Sequence, residues 1–131
     1  MKEQTFTSSA NIFRDVVIFA IDEANAVGLD SEEINKLKLI VEEVVTNIYK
    51  HAYRYQAQDF NVSCSTDNDG FCLIFRDNGQ AFDPLKHAQL DLNPGIEGRP
   101  IGGLGIHLVR NISKRQSYER VGEANIFKVW L

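Results

Sequence analysis

Glu43 and Asn47 stand four residues apart in VEEVVTNIYKHAY, a spacing that places one side chain above the other on a helix, and His51 follows at the same interval. Glu42, five residues from Asn47, is turned about 140° away, so Glu43 is the better partner. Asn is a poor helix former, and nothing in an ordinary amphipathic pattern asks for one beside an apolar stripe. Its amide oxygen is a hard neutral donor suited to magnesium, which keeps several waters and takes one or two protein oxygens plus substrate phosphates. A carboxylate one turn away is placed to orient or deprotonate an attacking hydroxyl.

Two further segments carry chemistry of a matching kind. Asp77 closes a strand-like run and is followed by Asn78 and Gly79. A carboxylate there can accept a hydrogen bond from the amino group of adenine, a donor that guanine lacks at the same edge, and Gly79 leaves room for the base to stack. In GGLGIHLVR, Gly102 to Arg110, a glycine-rich turn runs directly into an apolar helix. The unpaired amides at such a helix start, approached closely through glycine, form a cradle for phosphate. Singly, these are a solvated helix face, a turn and a tight loop. Together they describe a nucleotide site.

The elements that must position these residues can be read from periodicity. Residues 4 to 8 suit a short edge strand. Ile12, Phe13, Val16, Val17, Ala20, Ile21 and Ala24 recur at helical spacing from about Ser9 to Val27, with Gly28 as the stop. Asp30 or Ser31 caps a second helix, with Glu33 three residues after Asp30 in a capping-box arrangement. Its core stripe is Ile34, Leu37, Val41, Val44, Ile48 and Ala52. FNVSCST and FCLIFRD read as a hairpin turning at Asn68-Asp69 or Asp69-Gly70. A segment from Leu85 to Ile101, about 17 residues without periodicity, suits a lid or a partner-binding loop. The glycine turn and a helix from Ile106 to Ser113 follow, then a second hairpin, SYERV and NIFKVWL. This order predicts an α+β two-layer sandwich, with helices on one face of a mixed, mainly antiparallel sheet and the site between the layers.

Composition narrows the class. A chain of 131 residues suits one domain over 1–131, lid included. A net charge of −4 argues against a general nucleic-acid binder, which needs a basic surface. No apolar run reaches the roughly 18 residues of a membrane span, and the polar start MKEQTFTSSAN lacks the apolar core of a signal peptide, so a cytoplasmic protein is expected. Cys64 and Cys72 fall on opposite sheet faces by hairpin parity, which disfavours a disulfide, and their spacing is wrong for zinc.

The three segments, in this order, resemble the N box (VEEVVTNIYKHAY), first glycine box (DNGQAFDP) and second glycine box (GGLGIHLV) of the GHKL ATPase/kinase superfamily. Within it the likeness is closest to the small bacterial anti-sigma-factor serine kinases of partner-switching systems, and it extends over nearly the whole chain. The resemblance implies the Bergerat ATP-binding fold, ATP and Mg2+. It makes Glu43 the general base and Asn47 the magnesium ligand. It gives Asp77 the adenine amino group, with Gly79, Ala81 and Phe82 shaping that pocket, and Gly102, Gly103, Leu104, Gly105 and Ile106 the phosphates. Lys50 and His51 would reach ribose or phosphate, and Arg99, the lid cation near the glycine turn, would contact phosphate.

As partners the resemblance implies an anti-sigma-factor antagonist protein offering a serine or threonine, a sigma factor or other regulator to sequester, and a second copy in a homodimer. One departure stands out: the family's last hairpin carries Gly-Thr, whereas here the turn reads Gly122-Glu123-Ala124-Asn125, adding a carboxylate unfavourable to phosphate if it points inward. That departure supports an alternative, a nucleotide-gated protein-binding module without useful kinase activity. A detached histidine-kinase-type ATPase domain is the third reading, weakened because no helix with an acceptor histidine precedes the domain.

Overall fold

Alternation of Phe60, Val62 and Cys64 with polar neighbours commits the middle of the chain to a half-buried hairpin. The computed structural model, which describes residues 2–86 and 103–131 (for 103 and 104 the backbone only), forms it from β2 (Asp59–Asp67) and β3 (Gly70–Asp77). Asp67 pairs with Gly70, so the turn is Asn68-Asp69, and the Asp67 carboxylate accepts the Asp69 amide at 2.8 Å. Cys64 pairs with Leu73 and Cys72 with Ser65, one step out of phase. The thiols therefore face opposite sides, and both are free and buried.

Three more strands complete the sheet: β1 (Lys2–Thr7), β4 (Arg115–Val121) and β5 (Ala124–Trp130). Their order is β1-β2-β3-β5-β4, and every pairing is antiparallel, the simpler of the arrangements expected. Val62, Leu73, Phe75, Phe127 and Val129 line one face and meet the helices. Because alternation continues to the strand ends, Asp77 and its cross-strand partner Asn125 fall on that same inner face.

Two helices cover it. α1 (Phe13–Ala26) buries Val16, Ala20 and Ala24. It starts four residues later than periodicity suggests and ends where Gly28 takes φ +81°, with the Leu29 amide reaching back to the Ala24 carbonyl at 3.1 Å. α2 (Ser31–Asn47) buries Leu37, Ile40, Val41, Val44 and Val45. Ile34 is only partly buried, and Ile40 and Val45 broaden the expected stripe. Asp30 is its cap: its carboxylate accepts the Glu33 amide at 2.9 Å, and Glu33 returns a bond to the Asp30 amide at 3.4 Å. α2 runs on into a π-wound turn, Ile48–Ala52, closed by the Tyr53 amide on the Ile48 carbonyl at 2.9 Å. α3 (Gly103–Ile112) packs on α2 and adds Val109 to the core. The capping box gives a direct test: Asp30→Ala should cost about 1 kcal/mol of stability, read as a lower urea midpoint with unchanged slope.

Candidate functional site

Asp77 closes β3 on the inner face and is only 5% exposed. One carboxylate oxygen accepts two hydrogen bonds, from the Gly79 amide at 2.9 Å and from the Asn125 side-chain nitrogen at 2.8 Å. Burial pushes its pKa above the ordinary carboxylate range, against the pull of those two bonds and of the Arg120 charge. Val44, Asn47, Phe75, Phe82 and Tyr118 are among the residues around it. The enclosed cavity they leave is about 20 Å³, room for a water and not for a base. Phe82 and Pro84, just before the expected lid, are among its lining, and the space would have to widen for a base to enter.

Gly79 is required by a backbone contact. A Cβ there would lie 2.4 Å from the Ala52 carbonyl oxygen, and the next amide, Gln80, donates to that same oxygen at 2.9 Å. The glycine thus locks the loop after β3 to the end of the π turn. Ala81 is exposed and does not line the cavity. Phe82 lies against His51, with ring centroids 4.7 Å apart and planes within 14°. His51 leaves the Glu43–Asn47 stripe because π winding takes more than four residues per turn. Lys50 is exposed and lines a separate cleft with Glu42, Thr46 and Tyr49.

Asn47 is buried, and its amide nitrogen has no hydrogen-bond partner among the described residues. One turn earlier, Glu43 is half-buried and borders a second cavity, about 390 Å³, with Gly105, His107, Leu108 and Asn111. Desolvation raises the Glu43 pKa and Glu42 adds to it, while Lys50 opposes. An added Cβ on Gly105 would sit 1.8 Å from a Glu43 carboxylate oxygen, so the bare helix start lets the acid lie directly against it. Ile106 is fully buried. Gly103 and Leu104 lie in the first turn of α3, whereas Arg99, Gly102 and residues 87–101 of the expected lid lie outside the described residues.

The final hairpin differs from the sequence reading in a consequential way. Val121 pairs with Ala124, so the turn is Gly122-Glu123, with Gly122 at φ +59° and Glu123 exposed. The inward residue is Asn125, and the Glu123 carboxylate lies in solvent, away from the inner face. Asn125 escaped the sequence reading as a site residue. The signal that could have found it is parity: counted back from the apolar Phe127 and Val129, Asn125 must share their face.

An antiparallel sheet with helices on one face, an acid closing a central strand and a glycine-led helix beside a Glu/Asn helix are consistent with the α+β fold of the GHKL class. The chain belongs to the histidine kinase-like ATPase domain family, whose profile matches residues 7–130. It is 29% identical over 93 residues to the serine-protein kinase RsbW of Bacillus cereus (strain ATCC 10987 / NRS 248), covering 68% of this chain and 58% of that protein. RsbW proteins of Bacillus thuringiensis subsp. konkukian and Bacillus mycoides match at 28% and 27% over the same shares. The match thus spans less than two thirds of the length of these relatives.

Two sets of outcomes follow from this geometry. Gly79→Ala should lower stability by about 1–3 kcal/mol, since the methyl meets backbone. Gly105→Ala should leave stability unchanged or improved, since it meets only the movable end of Glu43 and Ala favours a helix by about 1 kcal/mol. Urea titration of both checks the contrast. Asp77 binds its proton more tightly folded than unfolded, so it costs stability once pH rises above the ordinary carboxylate range. Asp77→Asn should therefore melt higher than wild type at neutral pH, with the gap closing in acid; equal melting at neutral pH would contradict the cost of burying the charge.

Proposed function

We propose that this chain is an ATP-dependent serine/threonine protein kinase that phosphorylates a small antagonist protein and, when free of it, sequesters a sigma factor or a comparable regulator. The observation that carries the reading is Glu43. It is half-buried, its pKa is raised by desolvation, and it opens on a cavity at the start of a glycine-led helix, one turn from a buried Asn. The similarity to serine-protein kinases supports the reaction class.

In this reading the adenine amino group donates to the free oxygen of Asp77, and the phosphates take the amides at the start of α3. The residues fit magnesium: Asn47 has hydrogen-bonding capacity that the described residues do not use, and turning its amide presents the oxygen at the same place. Magnesium bound there with the phosphates would neutralise charge as the γ-phosphoryl group moves. Glu43, made more basic by burial, takes the proton of the acceptor hydroxyl. The acceptor oxygen gains a bond to phosphorus as the bond to the ADP oxygen breaks. Phosphoryl transfer asks for positioning and charge stabilisation more than covalent help, in keeping with a site built from one carboxylate, one amide and backbone.

The test is incubation with magnesium ATP and candidate antagonists, followed by mass spectrometry of the products. Transfer to a serine or threonine is expected. Glu43→Gln should keep ATP affinity within about threefold and lower the transfer rate by about 100-fold or more. Undiminished transfer by that variant would remove Glu43 from the role of base, and ATP binding without transfer to any antagonist would defeat the kinase reading.

A further inference from the structure

Asn125 is 3% exposed, yet every hydrogen-bonding atom of its amide is used. The nitrogen donates to Asp77 at 2.8 Å and to the Gln80 carbonyl at 2.9 Å. The oxygen accepts from the Tyr118 hydroxyl at 2.5 Å, an Arg120 guanidinium nitrogen at 3.1 Å and the Phe82 amide at 3.2 Å. Three donors on one side and two acceptors on the other permit a single orientation of the amide. Arg120 spans further, donating also to the Gly79 carbonyl at 2.9 Å.

The consequence falls on Asp77. One of its oxygens already accepts from Gly79 and Asn125, which uses both of that atom's lone pairs. The other oxygen is left as the acceptor for a ligand. A residue at position 125 that could not donate would leave the Gly79 amide alone on the first oxygen, loosen the orientation of the carboxylate and leave a buried charge under-satisfied.

We propose that Asn125 is a positioning residue for nucleobase recognition: held by Tyr118, Arg120 and the Phe82 amide, it saturates one oxygen of Asp77 and aims the other at the amino group of an adenine-type base. This rests on the nucleotide-site reading above. The amide is suited to the task because it donates to a carboxylate without a charge of its own. An acid at the same place would need a shared proton to sit 2.8 Å from Asp77. Other titratable or charged groups around the pair are Tyr118 and Arg120 on β4, Tyr53 after the π turn, Asp83 beside Tyr118, and His51 on Phe82.

The experiment measures ATP affinity by calorimetry for wild type and Asn125→Asp between about pH 5.5 and pH 8, and reads their ratio at each pH so that titrations common to both cancel. The variant should bind about tenfold or more weakly at the alkaline end, with the deficit shrinking to about threefold at the acid end as the two acids share a proton. Arg120→Met, at an exposed strand position, tests the same network where the fold is safe. It should weaken ATP by about threefold at unchanged melting temperature. A ratio near one at every pH for Asn125→Asp, or, if that variant does not fold, unchanged affinity for Arg120→Met, would overturn the positioning role while leaving the nucleotide site standing. Failure of wild type to bind ATP would overturn the site itself, and this role with it.

Discussion

The structure turns on placing a carboxylate at the end of a core strand. Asp77 shares its face with Leu73 and Phe75, so strand alternation alone drives it into the layer between sheet and helices. A charge there is tolerable only with partners, and the fold brings them from two directions: Gly79 two residues on, and Asn125 across the pairing with β5. The neighbouring loop, the last hairpin and the register of β3 with β5 are all constrained by this one group.

The helical layer is joined to this point by close approaches that side chains would prevent. Gly79 lets the loop after β3 meet the Ala52 carbonyl, and Gly105 lets α3 meet Glu43. The two glycines act on different partners. One faces rigid backbone; the other faces a movable carboxylate. Between them lies the π turn, which carries Ala52 and turns His51 toward Phe82.

Much of this was legible in the sequence because it rests on local rules. The capping box at Asp30, the stop at Gly28, both hairpins and the opposite facing of Cys64 and Cys72 follow from period, parity and turn chemistry. Glu43 was separable from Glu42 by angle alone, and Glu42 is indeed exposed. What escaped depended on interactions distant in sequence. Nothing local marks π winding over IYKHA, and with it went the placement of His51. The contact of Gly79 with Ala52 escaped because Ala52 lies far back in the chain. At the last hairpin, attention went to the charge of Glu123, when register decides which residue faces inward.

The strand order has a further meaning for how such a chain is made. β5 lies between β3 and β4, so a strand made after β4 enters the interior of the sheet. Until it does, Phe75 lacks its partner Phe127, and Asp77 lacks Asn125. A nascent chain can therefore hold its helices and first hairpin while possessing neither a closed core nor a satisfied acid. The strand that closes the core is also the one that satisfies the acid.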